Sequence, residues 1–245
     1  METVHCEAIL LSSMEYRESD VIATFFTLEH GKIRGLARGA KSSRKRFGGA
    51  LESFARLRIQ VRLKEGLCTV TDADVVTIFP GIRGDLTRIA HAAYACELAE
   101  RFLPEGHELP RLFRLMEAYL QRLDGAPSTP SDRRFFEANL LNIVGYRLPL
   151  EACHACGAEL AGTDGAYVTA AGGLRCRTCG RGDRPVSAET LRLLRRCLET
   201  GRFGAVVFPD DALVDAGEIV ARAIAAHLER PLKSLSFLRE VAGET

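Results

Sequence analysis

Four cysteines carry the sharpest chemical signal in this chain. Cys153-His154-Ala155-Cys156 and Cys176-Arg177-Thr178-Cys179 form two C-x2-C pairs with nineteen residues between them. Two intervening residues let both thiolates of a knuckle reach one metal ion, and two knuckles complete a tetrahedral set of four sulfurs. Cys153, Cys156, Cys176 and Cys179 are therefore the expected ligands of one structural zinc ion. His154, inside the first knuckle, is the alternative fourth ligand of a three-Cys, one-His set. With four thiolates bound, no position stays open for a water, so zinc hydrolysis is not expected. Gly157 and Gly180, each just after a pair, suit tight turns. A redox pair would need only one C-x2-C. Cys6, Cys68, Cys96 and Cys197 are scattered and read as buried free thiols.

The second signal is charge. The whole chain of 245 residues has a net charge of only +1, but residues 30–64 hold eleven Lys and Arg against the single acid Glu52, a local net of +10. Such a field attracts polyanions and displaces their counterions. Ten of these bases are candidate phosphate contacts: Lys32, Arg34, Arg38, Lys41, Arg44, Lys45 and Arg46, with Arg56, Arg58 and Arg62 as a second row. Phe47, in the same segment, has two readings: a ring stacked on a base, or a plug for one end of a barrel. Asp72 and Asp74 share a strand face and are the only hint of a divalent-metal nuclease. The sequence holds no P-loop, no G-x-G-x-x-G at a strand-to-helix turn, no H-E-x-x-H and no G-x-S-x-G.

The elements that must position these residues change period near residue 80. Upstream, five segments read as strands: His5–Met14, Val21–Leu28, Gly31–Arg38, Leu57–Leu63 and Val70–Phe79. Leu57–Leu63 alternates strictly, apolar at odd positions and polar at even ones. By that parity Lys32, Arg34, Leu36 and Arg38 share one face of their strand, and Arg56, Arg58 and Arg62 one face of theirs. Five short strands in about 80 residues suit a small closed barrel such as the OB-fold, a common binder of single-stranded nucleic acid. Downstream the period is helical. Leu86, Ile89, Ala90, Ala93 and Cys96 make one stripe; Leu112, Met116, Tyr119, Leu120 and Leu123 make the next. Gly125–Pro130 reads as a linker, Ser131 or Asp132 as the cap of a third helix carrying Phe136 and Leu140 inward, Ser187 as the cap of a fourth, and Asp210-Asp211 as a cap as well. Ile219–Leu228 forms a last helical face, stopped by Pro231.

Hydrophobic residues are 47% and charged residues 27% of the chain, ordinary for a globular protein and incompatible with disorder or low complexity. No apolar run is long enough to cross a membrane as a helix. The opening residues lack the basic and apolar regions of a signal peptide, so the expected location is cytoplasmic, and nucleoid-associated if the basic segment binds DNA. The expected architecture is α+β and multi-domain: an OB-fold at 1–80, a helical domain at 81–150, a four-cysteine zinc finger inserted at 151–182, and the rest of the helical domain at 183–245.

In this order, Gly35-Leu36-Ala37-Arg38-Gly39-Ala40-Lys41 leading to Gly49-Ala50-Leu51-Glu52-Ser53-Phe54, then Ile82-Arg83-Gly84-Asp85-Leu86, Asn139-Leu140-Leu141 with Gly145-Tyr146, and Pro231–Leu238, the chain resembles the RecO family of bacterial recombination mediator and DNA repair proteins. The resemblance covers nearly the whole chain. It implies a non-catalytic protein that binds single- and double-stranded DNA, anneals complementary strands and helps load RecA onto DNA covered by single-strand binding protein. The partners it implies are RecR, the C-terminal tail of single-strand binding protein and, in some lineages, RecF. Leu36 and Gln60 interrupt the basic face. The rival readings are a scaffold whose basic loop holds acidic protein tails, and the Asp72/Asp74 nuclease.

Overall fold

A computed structural model describes residues 2–48, 50–161, 165–181 and 183–242, without the side chains of Arg44, Lys45 and Ala242. The chain forms two compact units: residues 1–127 with 232–245, and residues 128–231. They part inside the stretch read as a linker and again just after Pro231.

The first unit is built on a closed five-stranded barrel in the order β1-β2-β3-β5-β4, with β4 returning to β1. Its strands are β1 (Thr3–Tyr16), β2 (Asp20–Thr27), β3 (Gly31–Ala37), β4 (Arg56–Arg62) and β5 (Cys68–Thr77), with a short helical turn α1 (Arg44–Phe47) between β3 and β4. This is the expected OB-type barrel. Period-2 alternation decides what faces inward: Leu57, Ile59 and Val61 of β4, Ile33 and Ala37 of β3, and Leu10 and Phe25 from β1 and β2 are buried together. The second alternation parity puts Lys32, Arg34, Leu36, Arg58 and Arg62 outside.

Helices α2 (Pro80–Arg83), α3 (Leu86–Phe102), α4 (Pro110–Gly125) and α8 (Lys233–Ala242) complete the first unit. The α4 stripe is as expected: Leu112, Met116, Tyr119, Leu120 and Leu123 are all buried. For α3 the single stripe gives way to burial nearly all round, and Leu86 of the expected stripe is exposed. The reason is position: α3 packs against β1, α4 and α8 at once, and a helix covered on several sides has no solvent face to keep polar. Its His91 is buried and lies 3.3 Å from the Tyr119 hydroxyl. Glu97 of α3 holds the start of α8, accepting hydrogen bonds from the Ser234 hydroxyl at 2.6 Å and from the Ser234 and Lys233 amides. Burial pushes the Glu97 carboxyl up, but these donors outweigh it and hold the pKa below the ordinary value.

The second unit holds α5 (Pro130–Ile143), α6 (Ala188–Glu199), α7 (Asp210–Ala225) and a small sheet ordered β7-β6-β8: β6 (Gly165–Val168), β7 (Leu174–Arg175), β8 (Arg184–Ser187). Ser187 caps α6 as expected, accepting from the Thr190 amide. The cap of α5 is Thr129, not Ser131 or Asp132. Pro130 takes the first helical position, which places Asp132 third, where it returns a bond to the Thr129 amide and closes a capping box. Asp210 and Asp211 lie within the first turn of α7, whose cap residue is Pro209; they complement the helix dipole and cap nothing.

Candidate metal centre and nucleic-acid interface

The sequence-distant cysteine pairs meet. Sulfur atoms of Cys153, Cys156, Cys176 and Cys179 all lie within 4.8 Å of one another, with Cys156 and Cys176 at 3.8 Å. Tetrahedral coordination with Zn–S bonds of about 2.3 Å requires S–S separations of roughly 3.8 Å, so the donor set fits one ion. None of the four is in a disulfide. Backbone turns shape both knuckles: the Gly157 amide donates to the Cys153 carbonyl at 2.8 Å, and the Gly180 amide to the Cys176 carbonyl at 2.9 Å. Gly157 has φ +72° and needs the freedom of glycine. Gly180 is there for another reason: a Cβ would fall 2.4 Å from the Tyr167 side chain. His154 stands outside the donor set, its ring against Gly173.

Thiol electrostatics divide the cluster: Cys153 and Cys176 are held down, while hydrogen bonding with Cys156 and Cys176 pushes Cys179 up to about 12 and Cys156 is raised as well. Backbone amides of Cys176, Cys156 and Ala155 stabilise the Cys153 thiolate and hold its pKa down to about 6. The amides of Cys179 and Thr178 pull Cys176 down likewise. Burial pushes Cys6 and Cys197 up to about 12, and Cys96 higher still. Those three, with buried Cys68, are core thiols.

The ten basic candidates separate by environment. Arg34, Arg38 and Arg46 are exposed and make no ion pair within 4 Å among the described residues. Arg34 faces Thr24 across β2. Arg46 donates to the Arg38 carbonyl at 3.0 Å and to the Ser43 hydroxyl. Lys41 pairs with Glu15 at 2.7 Å, and Lys32 gives its ammonium to the Glu100 carbonyl at 3.2 Å. The side chains of Arg44 and Lys45 lie outside the described residues. On β4, Arg56 is held by both Glu7 and Glu117. Hydrogen bonding to Glu7 first, then the Glu117 charge, raises its pKa against the opposing effect of burial. Arg58 sits in register between Glu7 of β1 and Asp74 of β5; Arg62 lies between Thr3 and Thr69. Because β5 and its acids stand between β3 and β4, the two rows do not merge into one face.

Phe47 is only 2% exposed and belongs to the barrel core, with the Arg46 guanidinium 5.2 Å from its ring centroid. It plugs the barrel and is not free to stack. Asp72 and Asp74 flank buried Ala73 on the outer face of β5, and among the described residues no third carboxylate, imidazole or thiol joins them in a metal-sized group. No helix of the described residues is long and apolar enough to cross a membrane.

Comparison with known proteins covers almost every residue. Residues 1–79 match the family model described as recombination protein O N terminal, and residues 83–236 the one described as recombination protein O C terminal. The DNA repair protein RecO of Geobacter sulfurreducens is 57% identical over 241 residues, spanning 98% of this chain and 99% of that one. The protein of the same name from Geobacter metallireducens is 53% identical with the same coverage. That of Anaeromyxobacter dehalogenans is 38% identical over 98% of both chains.

Proposed function

The chain belongs to the RecO family of DNA repair proteins, and from that premise we propose that it is a non-catalytic recombination mediator. In this reading it binds single- and double-stranded DNA through phosphates, anneals complementary single strands, and helps load RecA onto DNA covered by single-strand binding protein. RecR, the C-terminal tail of single-strand binding protein and, as in some lineages of the family, RecF are its protein partners. The observation that carries the reading is the outward set Arg34, in the middle of β3, with Arg38 and Arg46 beyond its end, none of them ion-paired within 4 Å among the described residues. Guanidinium contacts to phosphate give affinity without sequence preference. Neutralising two backbones lets complementary strands approach, and base pairing then supplies specificity with no need for nucleotide hydrolysis.

Cys153, Cys156, Cys176 and Cys179 would hold a structural zinc ion. With four thiolates around it the ion supplies architecture, tying the first knuckle to the end of β7. The protein's own amides orient the sulfurs.

The test is annealing of two complementary labelled oligonucleotides, each coated with single-strand binding protein, without ATP. Acceleration that weakens as salt rises is expected; no acceleration by folded, metal-loaded protein would overturn the mediator reading. For the knuckle, Cys153→Ser or Cys176→Ser should reduce bound zinc from one ion per chain to none and unfold or aggregate the protein, since structural metal binding is coupled to folding. A stable, zinc-free variant that anneals normally would sink the structural site.

A further inference from the structure

The interruption of the basic face at Leu36 has a counterpart across the sheet. Strand register places Leu36 of β3 beside Ile22 of β2, and Ile22 beside Met14 of β1. The three make an outward apolar strip running across the strands. Met14 is 54% exposed, and Ile22 and Leu36 are half-buried. One step along β1 the same face carries Tyr16, 38% exposed, with the Arg17 guanidinium 5.2 Å from its ring centroid. One step in the other direction, Arg34 lies beside Thr24. Met14, Ile22, Thr24 and Arg34 line a groove of about 710 Å³ on this side of the barrel.

The hairpin that carries Tyr16 is tied to the basic segment. The Lys41 amide donates to the Ser19 carbonyl at 3.1 Å, the Gly39 amide to Asp20 at 2.8 Å, and Lys41 pairs with Glu15. An exposed ring and an exposed thioether therefore stand at the end of the barrel where Arg38, Lys41 and Arg46 are. The groove is mixed in charge, with Glu29, Glu100, Glu105 and Glu108 against Lys32, Arg34 and Lys64. Asp20 lies opposite Tyr16 but is engaged by the Gly39 amide. The exposed bases Arg34, Arg38 and Arg46 are the places where a phosphate meets no ion pair among the described residues.

We propose that Tyr16, Met14, Ile22 and Leu36 form a platform for unpaired bases of single-stranded DNA, with Arg34 and Arg38 beside it on the phosphates. This rests on the DNA-binding reading above and adds what phosphate contacts alone lack: a preference for strands whose bases are unstacked. Apolar and aromatic side chains beside a line of bases suit a nucleic-acid strand, because every base has a flat face and every nucleotide a negative charge. The free face of Tyr16 takes a base, and Arg17 covers the other. In a duplex the bases are already stacked and the platform has nothing to hold. Phe47, buried in the core, is replaced in this role by the hairpin residue.

The chain contains no tryptophan, so Tyr16→Trp creates a single reporter at an exposed position. Oligothymidylate should quench that fluorescence saturably, and a blunt duplex of equal charge should not. Tyr16→Ala should weaken oligothymidylate binding about tenfold at unchanged salt slope, with duplex binding preserved and Tyr16→Phe near wild type. If oligothymidylate binds with an affinity that depends on Arg34 and Arg38 but leaves the reporter silent and Tyr16→Ala unaffected, the platform is wrong and the phosphate reading stands. If the reporter answers purified RecR and not oligonucleotide, the strip is a protein-docking face and the proposal falls. If wild-type protein binds no DNA at all, the functional reading itself fails.

Discussion

Arg34 on β3 and Arg56 and Arg58 on β4 point outward by the same alternation, yet their surroundings are opposite; Arg62, between Thr3 and Thr69, is the β4 base whose setting matches that of Arg34. Arg34 faces a threonine, and Arg38 and Arg46 are exposed and make no ion pair within 4 Å among the described residues. Arg56 is clamped by Glu7 and Glu117, and Arg58 has an acid beside it on each neighbouring strand. An arginine between two carboxylates adds little to the field felt by a polyanion, whereas an unpaired one adds its full charge. Spacing announces a positive face; cross-strand neighbours decide whether it exists.

Four variants can break or sharpen that contrast. The largest effect is expected from Arg34→Glu combined with Arg38→Glu. Anisotropy titration against a single-stranded oligonucleotide should show affinity falling about tenfold or more, and the dependence of log K on log salt flattening by about 1.4, for two lost contacts at roughly 0.7 each. Arg56→Ala should act on stability instead. Removing a half-buried guanidinium that serves two carboxylates should cost about 1–2 kcal/mol by urea denaturation, with DNA affinity nearly unchanged; a DNA defect without a stability loss would reverse the assignment. Arg58→Glu should change affinity by less than about threefold, because its charge is already offset; a loss equal to that of the β3 pair would abolish the distinction between the rows. The smallest effect, about a twofold gain in affinity, is expected from Asp74→Ala, which frees Arg58 from one of its two acidic neighbours.

The two candidate sites were unequally legible. The four-cysteine cluster is written in local spacing: each C-x2-C pair forms its own knuckle, and bringing the four sulfurs together needed only the meeting of two short segments. The alternation of Leu57–Leu63 and the stripe of α4 were equally local and appear as read. Features that depend on several elements were not. The Leu36 interruption looked like a flaw in a basic face because its partners Ile22 and Met14 lie on other strands. Tyr16 gave only a weak signal, an aromatic beside Arg17 just before a polar turn. The pairing of Arg56 with Glu117 was not legible because Glu117 is far away in sequence. The α3 stripe was too narrow because no pattern within α3 reports that α8, from the other end of the chain, covers its remaining side.

By itself, then, the sequence determined the strand and helix periods, the inward and outward faces of β3 and β4, the four thiol donors, and the concentration of positive charge between residues 30 and 64. Each of these follows from local geometry or composition. Only the tertiary structure decided which bases stay unpaired, that Phe47 closes the barrel, and that Met14, Ile22 and Leu36 join into one strip. Those outcomes depend on which strands become neighbours: a closed barrel brings side chains from separate stretches of chain within a few ångströms of one another, where charge pairing and apolar contact replace the preferences each residue had alone.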